Sequence, residues 1–176
     1  MGQKVNPVGF RTGVVIGWKS RWYASKKEFA ELLVEDQKIR KFIKDHPDAR
    51  FKMQYRNAGI DRIEIERTRD EVRVMLFVAR PGLIIGKKGQ DVEKLQEELQ
   101  SLIGRRVNLK IEEVGRPELQ AQLVADDIAQ QLMKRTNFRR TMKRALETTM
   151  DAGAKGIKVQ LAGRLGGAEM ARREKA

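Results

Sequence analysis

The sequence predicts an α+β protein built from two small domains. Segments in which apolar residues recur at helical spacing are mixed with short segments in which apolar and polar residues alternate, as they do in strands. A chain of 176 residues is long enough for two compact units, and Gly115 to Pro117 breaks the pattern. We therefore expect a basic arm at residues 1–16, a first domain at 17–115 and an α/β second domain at 116–176.

The first domain should begin with an amphipathic helix. Ser25 and Glu28 have the spacing of a capping box, and Pro47 is expected to end the helix. Between them lies an apolar stripe interrupted only by Asp36, which consists of Phe29, Leu32, Leu33, Ile39, Phe42 and Ile43. Such a stripe has to pack against another part of the chain.

A connecting loop and a β-hairpin should follow. Residues 48–60 have no clean period, so we predict a loop, with a short edge strand as the alternative because Phe51, Met53 and Tyr55 alternate with polar neighbours. The alternation of Ile63 to Glu66 and of residues 72–78, separated by turn-forming residues at 68–71, predicts the hairpin.

A glycine loop lies between the hairpin and the next helix. After Pro81 come an apolar turn at residues 83–85 and then the loop Gly86-Lys87-Lys88-Gly89. The helix that follows is predicted to end at Gly104, and residues 107–111 should form a third strand. Its buried face should consist of Val92, Leu95, Leu99, Leu102 and Ile103.

The composition of this loop suits a clamp on a nucleic-acid backbone. Glycines let the chain approach phosphates closely, amides at a helix start donate hydrogen bonds, and the two lysines add positive charge. Two glycines three residues apart are common, and those of Gly153-Ala154-Lys155-Gly156 read as a helix end and a turn. A Walker A loop is excluded, because only three residues separate Gly82 from Gly86 and Lys88 replaces Ser or Thr. The element order around the loop resembles the type II KH module, whose loop clamps about four nucleotides.

The second domain should contain two helices and a strand. Pro117 is expected to open the first helix, which the apolar residues Leu119, Leu123, Val124, Ile128 and Leu132 mark. A second helix is predicted from Phe138 to Met150, ending at Gly153, and a strand at residues 157–161. After residues 164–167 we expect a polar tail.

The second helix of this domain is strongly basic. The segment from Lys134 to Arg144, which leads into and includes its first half, contains no acidic residue and six cations, namely Lys134, Arg135, Arg139, Arg140, Lys143 and Arg144. Like charges four residues apart each cost a helix roughly 0.2–0.5 kcal/mol, so an external anion should compensate. A solvated face and an anionic lipid surface are the alternatives, and the uniform sign favours RNA. The opposite face, with Phe138, Met142, Ala145, Leu146 and Met150, should pack against Leu123, Ile128 and the strand at Ile157.

Charge and composition limit the class of function. The formal net charge is +13, and the excess lies at the two ends, since residues 1–60 carry 13 basic and 6 acidic side chains and residues 114–176 carry 13 and 7. Such a chain attracts polyanions. The absence of cysteine and the single His46 argue against a disulfide framework or a zinc site, and we expect neither a cofactor nor catalysis. The lack of cysteine fits a cytoplasmic protein. No apolar run approaches the ~18 residues of a membrane span, so we expect no membrane partner.

Five stretches together resemble the S-three family of bacterial small-subunit ribosomal proteins along nearly the whole chain. They are the arm at residues 1–7, the glycine-loop region at 79–89, the basic run at 138–145, Gly153 to Val159 and Gly163 to Glu169. In combination they are far more specific than the glycine loop alone.

The resemblance implies a non-enzymatic protein of the small-subunit head. Such a protein binds ribosomal RNA and neighbouring ribosomal proteins, and helps form the tunnel through which messenger RNA enters. It implies a type II KH domain followed by a separate α/β domain. Arg139, Arg140 and Lys143 match the family's positive cluster that faces the incoming messenger, and Arg164 completes the predicted RNA-binding set.

Two features depart from the family pattern. Residues 47–58 look longer than the usual connection, and family members continue past Ala176, so the C-terminal sheet is expected to be incomplete.

A free-standing KH-type RNA chaperone or regulator is the alternative function.

Overall fold

The computed structural model describes residues 2–69 and 71–176, and of Lys88 it describes the backbone. Met1 of the predicted arm, Asp70 of the predicted hairpin turn and the Lys88 side chain lie outside the described residues. The chain divides into two compact units, residues 1–113 and 114–176. Each unit combines helices with strands, and the predicted α+β class is confirmed.

The first unit contains a four-stranded mixed sheet. Its strands are β1 (Ser20–Arg21), β2 (Ile60–Arg67), β3 (Glu71–Val78) and β4 (Arg106–Glu113), in the spatial order β1-β2-β3-β4. β2 and β3 are antiparallel and form the predicted hairpin, whereas β1 is parallel to β2 and β4 is parallel to β3. The short edge strand β1 was not predicted, because two residues are too few to show an alternation.

The described part of the same unit contains the α-helices α1 (Pro7–Arg11), α2 (Phe29–Lys44), α3 (Ala49–Ala58), α4 (Pro81–Ile85) and α5 (Gln90–Ile103). The predicted helices at α2 and α5 are confirmed, and Gly104 ends α5 with a positive φ of 71°. The predicted capping box is wrong, because in such a box the Ser and Glu side chains each bond a backbone amide. Here the Ser25 hydroxyl donates to the Glu28 carboxylate instead (2.9 Å), and α2 begins only at Phe29.

The prediction of a loop at residues 48–60 is wrong, because most of this segment is the helix α3. The Asp48 side chain caps the helix by accepting a hydrogen bond from the Arg50 amide, and Gly59 ends it in a left-handed conformation. Phe51, Tyr55 and Ala58 are buried, which is a helical spacing, and Met53 is 62% exposed. The alternation that suggested a strand therefore has no structural counterpart.

The core of the first unit lies between one face of the sheet and the helices. Val72, Val74, Leu76 and Val78 alternate along β3 and are all buried. They join Ile63, Ile65 and Val107 of the neighbouring strands with Ile39, Ile43, Phe51, Tyr55, Ala58, Ile84, Leu95 and Leu99 of the helices. Each such side chain contributes roughly 1.5–3 kcal/mol when it leaves water, so this cluster fixes the positions of the helices on the sheet.

A buried polar cluster ties β1 and α2 to the sheet. Asp36, which interrupts the apolar stripe of α2, is 3% exposed and accepts hydrogen bonds from Ser20 (2.9 Å) and from the Trp22 indole (2.8 Å). The Arg67 guanidinium pairs with the same carboxylate at 2.6 Å, and its side chain is 4% exposed. Nearby, burial lowers the pKa of Arg40, and the Asp36 carboxylate opposes that effect. Among the described residues, no buried side-chain nitrogen or oxygen lacks a hydrogen-bond partner.

The second unit contains α6 (Ala121–Met133), α7 (Phe138–Asp151) and a two-stranded antiparallel sheet of β5 (Gln160–Gly163) and β6 (Arg172–Lys175). Three predictions need correction here. Pro117 opens a 3₁₀ turn at Pro117–Leu119 and not the helix itself, the strand begins at Gln160 and not at 157, and the predicted polar tail forms β6.

The core of the second unit is small. Ile128, Met142 and Val159 are buried together, and Val124, Leu132, Phe138, Ala145, Leu146, Ile157 and Leu161 pack against them. The predicted apolar face of α7 is thereby confirmed except for Met150, which is 48% exposed. Within the described parts of the chain, no helix is long and apolar enough to cross a membrane.

Candidate nucleic-acid interface

The glycine loop lies between α4 and α5, and its last three residues form a 3₁₀ turn that leads into α5. The Gly86 amide donates to the Gly82 carbonyl (3.2 Å), so it is part of the α4 turn and does not point at a ligand. The Lys87 side chain is exposed. The loop therefore has the predicted position at the start of a long helix, with its first amide already engaged.

The two loop glycines have different surroundings. Both have a positive φ, 70° at Gly86 and 82° at Gly89. A side chain at Gly86 would place its Cβ 2.1 Å from the Asp91 carboxylate, whereas one at Gly89 would meet no atom within 4 Å. Gly89 thus leaves the open surface that an approaching phosphate needs, and the space beside Gly86 is filled by Asp91.

An open cleft of about 470 Å³ adjoins this loop and is bordered by α3. It is lined by Arg50 and Gln54 of α3 together with Gly82, Leu83, Gly86, Lys87, Gln90 and Asp91. The Gln54 side-chain amide donates to the Leu83 carbonyl and to the Asp91 carboxylate (3.1 Å), which joins α3 to α4 and α5. Sequence reasoning missed Arg50 and Gln54, because the segment was interpreted as a loop.

Aromatic packing fixes α3 beside the loop. The rings of Phe51 and Tyr55 lie 5.2 and 5.6 Å from the His46 ring, and His46 bonds to Glu98 of α5 at 2.7 Å. Burial raises the pKa of Tyr55 well above its ordinary value, and nearby carboxylates add to the effect. The phenol is therefore neutral, and the charged side chains that line the cleft are those of Arg50, Lys87 and Asp91.

The basic face of α7 is solvent-exposed. Arg139, Arg140, Lys143 and Arg144 are all exposed, whereas Met142 is buried and Leu146 packs against it in the core. The Asn137 side chain caps the helix by accepting a hydrogen bond from the Arg139 amide (3.0 Å). The Lys143 ammonium lies 3.8 Å from the Glu147 carboxylate in an exposed pair, which neutralises little of this surface.

A cation from β6 extends this surface. The guanidinium carbons of Arg139 and Arg172 lie 5.6 and 5.5 Å from the centroid of the Phe138 ring. Arg172 is thus brought to the start of α7 although the sequence predicted only a tail there. Phe138 becomes a neighbour of Arg172 only when β6 pairs with β5, so no local sequence pattern could have predicted this contact.

The other predicted RNA-binding residues, Lys134, Arg135 and Arg164, differ in their surroundings. Lys134 and Arg135 are exposed in the turn between α6 and α7, and Arg135 has a φ of 57°, which is unusual for a residue with a side chain. The Arg164 guanidinium donates to the Ala168 carbonyl (2.9 Å), so it stabilises the turn between β5 and β6. The loop residues belong to the first unit and the other predicted cations to the second.

The residues that the structure describes contain no group of three or more His, Cys, Asp or Glu side chains that could hold a metal ion.

Two family models match the chain. The KH domain model matches residues 38–119, and the model for the C-terminal domain of ribosomal protein S3 matches residues 128–176. Small ribosomal subunit protein uS3 of Rhodopirellula baltica is 79% identical over 175 residues, which cover 99% of this chain and 73% of that protein. The chain belongs to the uS3 family. The uS3 proteins of Desulfatibacillum aliphaticivorans and Thermodesulfovibrio yellowstonii are 52% and 53% identical over 174 residues, covering 99% of this chain and 76% of each relative.

Membership in the uS3 family confirms the predicted resemblance and the KH assignment. A uS3 protein is a component of the small ribosomal subunit that binds RNA, and it is structural, not enzymatic. It is part of the ribosome in the cytoplasm, where it binds ribosomal RNA and other ribosomal proteins. The identification favours this role over a free-standing RNA regulator.

Proposed function

We propose that this chain lies in the head of the small ribosomal subunit and helps form the site at which messenger RNA enters. In this proposal it contacts ribosomal RNA and neighbouring head proteins, and the messenger passes the basic face of α7. Arg139, Arg140 and Lys143 are the residues that meet the messenger.

The observation that carries this proposal is the exposed, nearly unneutralised charge of α7. Four cations share a face on which Glu147 is the one acidic neighbour within 4 Å among the described residues, at 3.8 Å. Like charges at this spacing destabilise a helix, so their presence is understandable if a polyanion compensates them. A moving messenger suits such a surface, because phosphate contacts hold a strand without reading its sequence.

Other residues should supply further RNA contacts. Gly86, Lys87, Lys88 and Gly89 are proposed as one contact of the first unit, in which the open side of Gly89 supports close approach of a phosphate. Lys134, Arg135, Arg144 and Arg164 are proposed as contacts around α7. Because Arg164 also holds a turn, its role in binding is the smallest of the set.

The three parts of the chain are proposed to make separate contacts with the ribosome. The arm at residues 1–16, the KH domain at 17–115 and the C-terminal domain at 116–176 would act as three separate attachments to the ribosome. The net charge supports this, since residues 61–113 carry 11 basic and 11 acidic side chains and the excess lies on either side of them. The flanks, more than the glycine loop, should account for overall RNA affinity.

The role of α7 can be tested by replacing Arg139, Arg140 and Lys143 with Ala together. The affinity for a short single-stranded RNA should fall, and the plot of log affinity against log salt should flatten by about 2 units, since each phosphate contact on a single strand contributes about 0.7. Fluorescence anisotropy at several salt concentrations measures both quantities. The thermal stability of the variant should not decrease, because the substitution removes like-charge repulsion.

The matched control replaces Lys155, Lys158 and Lys175, three exposed cations of the same unit outside α7, with Ala. It has the same net charge as the α7 variant but should retain most of the salt slope. An α7 variant with an unchanged slope, or a control with the same loss, would contradict the assignment.

A further inference from the structure

We propose that the cleft between α3 and the glycine loop is a second phosphate-binding subsite for a single RNA strand, with Arg50 and Lys87 as its two cations. The proposal rests on the RNA-binding role of the loop and adds an element to it, α3, that the loop motif does not include. Arg50 and Lys87 line the same cleft from two different elements.

The position of Arg50 is fixed by the packing of its helix. Phe51 and Tyr55, four residues apart, are 4% and 2% exposed, so the face of α3 that contains them is held in the core. Arg50 and Gln54 each precede one of these residues and therefore share an adjacent face, which borders the cleft. A cation carried by a packed helix loses less conformational entropy on binding than one on a free loop.

Gln54 and Asp91 hold the cleft together from within. The Gln54 amide bridges the Leu83 carbonyl and the Asp91 carboxylate, and Asp91 fills the space beside Gly86. The carboxylate is half-buried and accepts the Gln54 hydrogen bond, whereas Arg50 and Lys87 are exposed. The charges lining the cleft thus sum to +1, with the two cations more accessible to solvent than the carboxylate.

The chemistry of the cleft suits a phosphodiester. A guanidinium can bind two phosphate oxygens at once, and an ammonium adds a point charge. Leu83 is 39% exposed at the same cleft and offers an apolar surface to a sugar or base. The cleft is open to solvent, and Gly86 and Lys87 of the loop line it, which favours a strand that passes across it over a small molecule that is enclosed.

The test is the change Arg50→Ala, with Lys52→Ala as the matched control on the same helix. Lys52 is exposed, pairs with Asp45 at 3.1 Å and does not line the cleft. Binding of an eight-nucleotide single-stranded RNA to the full chain should weaken several-fold for Arg50→Ala, with the salt slope reduced by about 0.7. Lys52→Ala should leave both unchanged. Because both side chains are exposed, both variants should unfold at the temperature of the parent chain.

A double variant shows whether the two cations act on one ligand. The combined loss of affinity for Arg50→Ala with Lys87→Ala should be smaller than the product of the two separate losses, because residues that share a partner are not independent. Amide signals of Arg50 and Gln90 should shift in nuclear magnetic resonance spectra when this RNA is added.

Three outcomes would overturn the proposal. In the first, Lys87→Ala weakens binding but Arg50→Ala has no more effect than Lys52→Ala. The loop would then remain an RNA contact, and α3 would not be part of it. No effect from either Arg50→Ala or Lys87→Ala would remove the loop contact as well. Displacement of the RNA by a nucleoside monophosphate at equal phosphate concentration would make the cleft a nucleotide site and not a strand site.

Discussion

The glycines at 86 and 89 belong to one loop but are required for different physical reasons. Both residues need a positive φ, which costs a residue with a side chain roughly 1–2 kcal/mol. Gly86 has the further requirement that nothing may occupy the space taken by the Asp91 carboxylate. The sequence predicts the loop and its glycines, but it cannot show this difference, because Asp91 approaches Gly86 only after α5 forms.

We therefore predict that Gly86→Ala destabilises the chain more than Gly89→Ala, by about 1 kcal/mol. The new methyl group would displace Asp91 and break its hydrogen bond from Gln54, and a net hydrogen bond contributes about that much. Urea unfolding measures the difference. Adding Asp91→Gly to each variant removes both the carboxylate and the Cβ that lies 2.8 Å from the new methyl position, and should remove most of the gap between them. Equal stabilities of the two single variants would refute this explanation.

At the residue scale the sequence also located the cations of α7, because their uniform sign is visible without a fold. Arg50 and Arg172 were not located. Arg50 lies in a segment whose apolar residues had been interpreted as irregular, and Arg172 in a polar run. The contact of each depends on partners that tertiary packing supplies, the cleft beside Lys87 and the ring of Phe138.

At the scale of elements, prediction succeeded where an apolar pattern was long. The stripes of α2, α5 and α7 and the alternation of β3 predicted helices and a strand that the structure contains. It failed at α3, whose ten residues have three buried positions and are held by contacts with His46 and the core. It failed also at β6, which is joined to β5 by backbone pairing and has no buried residue.

The buried polar cluster at Asp36 leads to a prediction about the attachment of α2. Arg67→Ala would leave the Asp36 carboxylate buried without its closest cation, and breaking a buried pair in this way typically costs about 3–5 kcal/mol. Arg62→Ala, on the same strand, is the control. Arg62 pairs with Asp61 and Glu64 and lies over the Phe77 ring, but its own side chain is 35% exposed, against 4% for Arg67, so its loss should cost less than the loss of Arg67.

Chemical denaturation of both variants provides the measurement. If Arg67→Ala cost no more than Arg62→Ala, the cluster would not anchor α2, and the fixed position of β1 beside β2 would need another explanation. A change in the slope of the unfolding transition would indicate that the native or denatured state had itself changed, so the comparison requires equal slopes.

At the scale of the whole molecule, charge and family membership point the same way. The net charge of +13 is concentrated outside residues 61–113, and the chain belongs to a family of small-subunit ribosomal proteins. The glycine loop identified the module, but the neutral segment around it is poorly suited to dominate affinity. The central claim is that α7 meets messenger RNA while other parts of the chain hold it to the ribosome.

The most direct test uses a photoreactive residue in place of Glu147, which leaves Arg139, Arg140 and Lys143 unchanged and lies next to Lys143, 3.8 Å from its ammonium. The control carries the same residue in place of Lys155, in the same unit but outside α7. Small subunits are isolated on a sucrose gradient, given a labelled messenger and irradiated. We predict that both chains sediment with the small subunit and that position 147 crosslinks to the messenger far more than position 155. Absence of the chain from small-subunit fractions, or equal crosslinking from the two positions, would contradict the account.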